Sequence, residues 1–233
     1  MTRTDPMHVT VIAKEPRPGI VKTRLCPPCT PDEAAALAAA ALQDTLDAID
    51  RLAVASDETS DQIERVLLFD GDASAWARPG WQVVAQRGNG LAARLANGFD
   101  DLGPGAIVGM ETPHAVSSLD ASLDAIRSGR DAIGLANDGG YWAIALGAVD
   151  RRVFDGVPMS ASHTGLTQLR ALHAHGRSVH RLPLARDLDT YDDVVDAARR
   201  GASAPCLHVT ARGVIESVRA RTGTPVGLRV DPG

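Results

Sequence analysis

The chain has 233 residues, enough for one large buried core or two small ones. A net charge of −5 and an aromatic content of 3% argue against an extended nucleic-acid footprint or a base-stacking platform, so no nucleic-acid partner is expected. No run of about 18 apolar residues is present. The opening MTRTDPMH lacks the apolar core of a signal peptide, so no membrane span and a cytoplasmic location are expected.

Residues 9–13 are apolar and β-branched enough for a buried strand. The chain then turns basic: Lys14, Arg17, Lys22 and Arg24 stand against Glu15 alone, while Pro16, Pro18 and Gly19 keep the segment out of helix. A strand that runs into a basic, glycine-containing loop is a place for a phosphate chain. Lys22 and Arg24 would neutralise a diphosphate or triphosphate, Lys14 and Arg17 would add charge, and Gly19 would let the backbone approach. The next four residues, Cys26-Pro27-Pro28-Cys29, form a C-x-x-C. It could be a redox pair, or half of a zinc site completed by Cys206 and His208. The basic loop and the chain length weigh against the first and the unusual spacing against the second, which leaves plain loop cysteines.

Thr30, Pro31 and Glu33 then give a helix start with a capping box, and Leu37, Ala41, Thr45, Leu46, Ile49 and Leu52 recur at helical spacing. Residues 57–61 read as a polar connector, 65–70 as a strand, 72–78 as a short helix or turn, and 81–85 as a strand. After the segment 86–90, Leu91, Leu95 and Phe99 mark a helix. A strand at 105–110 ends at Glu111-Thr112-Pro113-His114, and a helix follows over 116–128. Strands at 131–136 and 141–146 flank Asn137-Asp138-Gly139-Gly140 in hairpin fashion. Helices at 150–154 and 164–175, a strand at 178–182, an acidic loop at 186–189 and a helix at 190–200 complete the main body. Past Gly201 the pattern suggests a strand at 207–210, a helix at 214–221 and a frayed end. The expected organisation is one domain over residues 1–200 and a C-terminal extension over 201–233.

Short apolar strands alternating with helices indicate an α/β protein: a mostly parallel, Rossmann-like sheet in a three-layer α/β/α arrangement. In such sheets ligands sit at the carboxyl ends of the strands, and the unusual residues here follow strands. There is no G-x-G-x-x-G, no G-x-x-x-x-G-K-[ST] and no G-x-S-x-G. Glu111, Asp187 and Asp189 are candidate hard-oxygen ligands for Mg2+ or Mn2+ on a nucleotide phosphate, with Glu111 and Asp189 the leading pair. Asp189 also stands where Thr190 and Asp193 would cap a helix, and the two roles are compatible. In the turn, Gly139 and Gly140 would bring backbone N–H groups to a ligand, with Tyr141 beside them, and Asp138 would accept from hydroxyls. An ordinary hairpin turn explains the same residues equally well. Glu111 and Asp138 are the candidates to orient an acceptor; no catalytic base stands out. Of the histidines, only His114, close to Glu111, invites attention.

The segments IAKEPRPGIVKTRLCPP, EAAALAAAALQDTL, QRGNGLAARLANGF, IVGMETPHAV, ANDGGYWAIAL and DLDTYDDV occur in that order. Together they resemble the DUF2064 family of bacterial glycosyltransferase-like proteins. More distantly they resemble 2-phospholactate guanylyltransferases and molybdenum-cofactor nucleotidyltransferases. The resemblance implies a GT-A-type nucleotide-diphospho-sugar transferase fold, a nucleotide over the first strand with Lys14, Lys22 and Arg24 near its phosphates, and a metal at the end of the fourth strand and the acidic loop. It also brings Gly88 and Asn89 into the phosphate-binding set. The family segment G-x-D-x-P reads Gly109-Met110-Glu111-Thr112-Pro113 here, and Asn89 replaces a family Asp. The implied function is a metal-dependent transferase with a nucleotide-activated donor, most simply a glycosyltransferase-like enzyme acting on a nucleoside diphosphate sugar and a small-molecule acceptor. The alternatives are a guanylyltransferase-like nucleotidyltransferase joining a nucleoside triphosphate to a small phosphorylated acceptor, and a non-catalytic nucleotide-binding relative, motivated by Glu111 and Asn89.

Overall fold

The structure, a computed structural model, describes residues 7–57 and 63–223. Strand β1 (Met7–Lys14) leads through the basic loop to helix α1 (Pro31–Asp57), followed by β2 (Ile63–Asp70) and β3 (Trp81–Ala85). Helix α2 (Gly90–Leu102) leads to β4 (Gly105–Gly109), a 3₁₀ segment (Pro113–Ser118) and α3 (Leu119–Arg127). Next come β5 (Asp131–Ala136), β6 (Tyr141–Leu146), α4 (Thr164–Ala174), β7 (Val179–Ala185), α5 (Tyr191–Arg200) and α6 (Pro205–Thr222). The seven strands form one sheet in the order β3-β2-β1-β4-β6-β5-β7. Only β6 runs antiparallel to its neighbours, β4 and β5.

Side-chain alternation sorts the two faces. Val9, Val11 and Ala13 of β1 point to one side and share a core with Leu42, Leu46 and Ile49 of α1 and Leu119 and Leu123 of α3. Ile107 and Ile144 point to the other side, against Leu95 and Phe99 of α2 and Leu172 of α4. The three-layer reading therefore holds. Each fully buried Leu, Ile or Phe in these layers contributes roughly 1.5–3 kcal/mol by leaving water. Helix α1 starts as its sequence signals: Thr30 N–H donates to Glu33 Oε2 (2.8 Å), and Glu33 N–H donates to Thr30 Oγ1 (3.2 Å). The helix expected over 116–128 opens as a 3₁₀ turn before becoming α3. Strand β7 runs past the expected end at 182 through Pro183. As an edge strand it needs no N–H from that residue on its open side, and the Pro183 carbonyl accepts from Trp142 Nε1 (3.0 Å).

The strand expected at 207–210 is not one. Those residues lie inside α6, because Leu207, Ala211, Val214, Ile215 and Val218 keep a helical period and are buried against α1 and α5. Pro205 occupies the first turn, and the buried Asp44 of α1 accepts the N–H groups of Cys206 (3.0 Å) and Leu207 (2.8 Å). The expected frayed end, from 224 onward, lies outside the described residues, as does most of the 57–61 connector. Among the described residues no helix is long and apolar enough to cross a membrane.

Candidate functional site

The strand order reverses direction at β1 and β4, so the carboxyl ends of these two strands open a crevice between diverging connections. A cleft of about 790 Å³ lies there. Its lining runs from Lys14, Gln86, Leu91 and Arg94 on the β3 side, past Lys22, Arg24 and Glu111, to Asp138, Tyr141, Ser160, Asp187 and Asp189 on the β6 side. Both lysines of the chain, Lys14 and Lys22, line this cleft.

The basic loop divides between two tasks. Glu15 N–H extends the β1 ladder to Asp70 O (2.9 Å), and Gly19, at φ 75°, turns the chain back with Ile20 N–H on Arg17 O (3.1 Å). Arg17 points away, pairing its Nε with Glu15 Oε2 (3.3 Å). Arg17 and Gly19 do not line the cleft; Lys14, Lys22 and Arg24 do. Lys22 holds a left-handed backbone (φ 51°), a conformation costly for a residue with a Cβ, and a 3₁₀ turn (Thr23–Leu25) follows it. Its ammonium lies against Glu111, and Arg24 Nη1 lies 2.5 Å from Asp189 Oδ2. The expected phosphate binders are thus paired directly with the expected metal ligands.

Two residues that sequence reasoning passed over complete the β3 side. Gln86 Nε2 donates to Ala13 O (2.7 Å) and Leu68 O (3.0 Å), tying β1 to β2 where they meet the cleft. Its Oε1 accepts from Arg94 Nη1 (2.8 Å), which also donates to Asp70 Oδ2 (2.6 Å). Arg94 sits one residue before buried Leu95, and a cation in the helix after a post-strand glycine loop was the available signal. Gly88 and Asn89 do not line the cleft; Gly90 and Leu91 take that place. A Cβ on Gly88 would meet Ala93 Cβ and Asn97 Nδ2 at 2.9 Å, so its role is to seat the start of α2.

On the opposite side, Asp138 and Gly140 line the cleft and Gly139 does not. Asp138 Oδ1 accepts the Gly140 N–H (2.7 Å), closing the turn. The Tyr141 hydroxyl is turned toward Gln168 Oε1 (3.4 Å) and Met159, and burial holds it above the usual phenol range. Tyr141 therefore offers the cleft its ring and backbone, with its hydroxyl spent elsewhere. His114 does not line the cleft, and burial, with Arg200 nearby, pushes its imidazole down to about 4.

The acidic rim carries a local excess of negative charge. Burial, followed by the carboxylates of Glu111 and Asp138, pushes Asp187 up to about 7 against the pull of Lys22. Asp187 makes no salt bridge among the described residues. These are hard oxygen donors of the kind Mg2+ or Mn2+ takes, and a divalent ion would relieve the repulsion that raises Asp187. The donor set fits such an ion in kind. The oxygens of Glu111, Asp187 and Asp189 are nevertheless not gathered within 4.8 Å of one another, since among the described residues only Asp44, Asp47 and Cys206 form such a trio. In that trio Asp44 caps α6 and Asp47 accepts from Arg78 Nη1 (2.7 Å), so both acids already have structural partners. Cys26, Cys29 and Cys206 are free thiols, and burial pushes Cys29 up to about 11, which makes it a poor nucleophile.

The profile of the family DUF2064, "Uncharacterized protein conserved in bacteria", matches residues 38–161. That span holds Glu111 and Asp138 but neither the basic loop nor Asp187 and Asp189. Among solved structures, a candidate nucleotide-diphospho-sugar transferase from Desulfovibrio desulfuricans G20 is 26% identical, with a TM-score of 0.73 over 89% of this chain and 97% of its own. A CMP:2-keto-3-deoxy-manno-octonic acid synthetase bound to CTP is 12% identical, with a TM-score of 0.49 over 91% of this chain and 100% of its own. No functionally curated protein matches the sequence significantly. The fold is that of the nucleotide-diphospho-sugar transferases.

Proposed function

The chain belongs to the DUF2064 family, and from that premise we propose that it is a transferase acting on a nucleotide-activated donor, with a nucleoside diphosphate sugar as the donor class. The observation that carries this reading is the meeting of Lys14, Lys22, Arg24 and Arg94 with Glu111, Asp138, Asp187 and Asp189 in one cleft at the sheet's switch point. Four cations suit a diphosphate; four carboxylates beside them suit the metal that accompanies it.

In this reading Lys22 and Arg24 take the phosphate oxygens and hold the charge that builds on the leaving diphosphate. They do so by exchanging their present partners, Glu111 and Asp189, for the ligand. The freed carboxylates, with Asp187, would hold Mg2+ or Mn2+, which when bound supplies Lewis-acid neutralisation of the same phosphates. Arg94, fixed by Gln86 and Asp70, lies on the β3 side of the cleft and would face the nucleoside. Asp138, with one oxygen committed to the turn, keeps the other for a hydroxyl of the bound ligand.

The test is calorimetry with nucleoside diphosphates, their sugars and nucleoside triphosphates, with and without Mg2+ or Mn2+. Metal-dependent binding that weakens in Glu111→Ala and Asp189→Ala supports the reading. Binding unchanged in both variants removes the metal assignment, and binding without turnover over a broad acceptor panel favours a regulatory relative.

A further inference from the structure

Among the described residues only two that are not glycine hold a left-handed backbone, Lys22 (φ 51°) and Ser160 (φ 62°). They belong to distant parts of the sequence, and both line the same cleft. A residue with a Cβ is disfavoured in this conformation, where glycine would sit without strain. A side chain retained there has work to do, and strain of this kind collects at ligand sites. For Lys22 the work is the ion pair with Glu111. Ser160 is exposed, and its hydroxyl has no hydrogen-bond partner among the described residues.

The backbone under Ser160 is held rigidly. A Cβ on Gly139 would come within 1.9 Å of Ser162 O, and one on Gly165 within 2.3 Å of Gly140 O. Gly165 N–H donates to Gly139 O (2.8 Å), and the Thr164 hydroxyl binds Ala161 N–H (3.0 Å). The 137–140 turn and the 160–165 segment therefore form one wall, pressed backbone to backbone. Three polar groups on residues of that wall that line the cleft have no hydrogen-bond partner among the described residues: the hydroxyls of Ser160 and Ser162 and the second oxygen of Asp138. No Lys, Arg or His from residues 138–164 lines the cleft. Hydroxyls beside a carboxylate match the hydroxyls of a sugar; a phosphate placed there would meet the Asp138 carboxylate, and Arg24, the cation whose charge reaches Asp138, is already paired with Asp189.

We propose that Ser160, with Ser162 and Asp138, is the subsite for the hydroxyl-bearing group that the donor carries beyond its phosphates, a sugar. The inference rests on the transferase reading above and deepens it, since it makes the sugar, and not a phosphorylated acceptor, the occupant of the β6 side. Ser160 is a binding residue whose side chain is kept at the expense of backbone comfort.

The test compares UDP with UDP-glucose, and GDP with GDP-mannose, by calorimetry in the presence of Mg2+, in the wild-type protein and in Ser160→Gly. The variant removes the hydroxyl and relieves the left-handed strain, so its melting temperature is expected to equal or exceed that of the wild type. Its affinity for the bare diphosphates is expected to stay unchanged, while the gain contributed by the sugar falls about five- to tenfold, the worth of one hydrogen bond. Ser160→Asn, which also tolerates the left-handed backbone but fills the subsite, should abolish the gain. Equal sugar gains in wild type and both variants, or no sugar gain in the wild type, overturn the subsite while bare-diphosphate binding keeps the transferase reading. Failure of every diphosphate to bind the wild type overturns both.

Discussion

Lys22 Nζ sits 2.5 Å from Glu111 Oε2, with the lysine side chain 4% exposed and the glutamate 41% exposed. One partner is thus buried in the wall while the other faces the cleft. The ammonium acts as a tethered counter-ion for a rim that also holds Asp187, Asp138 and Asp189. In the proposed transferase reading this ammonium would turn from Glu111 to the phosphate, and that exchange would couple phosphate binding to metal binding.

Lys22→Ala should therefore act on both halves. Affinity for nucleoside diphosphates is expected to fall about 10- to 100-fold, the usual range for a lost charged hydrogen bond. Asp187 should titrate still higher, because Lys22 is the cation that pulls it down. Calorimetry for the first effect and carboxyl-resolved NMR titration for the second provide the check.

Asp187 makes the site sensitive to pH near neutrality. Its folded value of about 7 lies above the ordinary 3.8, so the folded chain keeps a proton that the unfolded chain releases. The resulting stability is fully present below about pH 4 and is lost as pH rises through about 7. Asp187→Asn should flatten that part of the curve of melting temperature against pH. Metal affinity in the wild type should move the opposite way, rising through the same range as the carboxylate ionises. Melting curves and Mn2+ titrations across pH decide it, and a pH-independent Mn2+ affinity would contradict the role given to Asp187.

Gly139 carries the turn against the 160–165 segment. At φ 89° it is already in glycine's territory, and a Cβ would strike the Ser162 carbonyl. Gly139→Ala should destabilise the fold by about 2–4 kcal/mol and disturb the Asp138 wall. Chemical denaturation gives the first number; a stability within a few tenths of wild type would show that the two segments are not pressed together.

Asp44 joins α1 to α6 by accepting two backbone N–H groups while 1% exposed. Asp44→Ala leaves one buried and one half-buried donor without a partner and should cost about 2–3 kcal/mol. Asp44→Asn, which keeps one acceptor, should fall between. Denaturation midpoints of the three proteins give the ranking.

How far the sequence could be read depended on the range of the interaction. Apolar strands placed the sheet to within a few residues because period-two burial is written in the local chain. The capping boxes at Thr30/Glu33 and Thr190/Asp193 were legible for the same reason: donor and acceptor lie three residues apart. The run at 207–210 misled because four residues do not distinguish a strand from a turn of helix, and the acid that starts α6 lies 162 positions away from Cys206. In the site, Lys14, Lys22, Arg24, Glu111, Asp138, Asp187 and Asp189 announced themselves as charges after strands, and all line one cleft. Arg17, Gly19, Gly88, Asn89 and Gly139 looked equally suitable and line no part of it. Side-chain direction at a loop is set by tertiary neighbours such as Glu15 and Ser162, which local pattern does not contain.

By itself, then, the sequence determined the α/β architecture, the strand ends that carry the charged residues, and the presence of cations suited to phosphate and of acids suited to a metal. Hydrophobic period, helix capping and turn chemistry are short-range, so the local chain is sufficient to specify them. Only the tertiary structure decided that the cations and acids are paired in the same cleft, that Gln86 and Arg94 complete its β3 side, and that Ser160 shares with Lys22 a left-handed backbone lining the same space. Those relationships join residues far apart in sequence, and packing of the whole sheet is what brings them together.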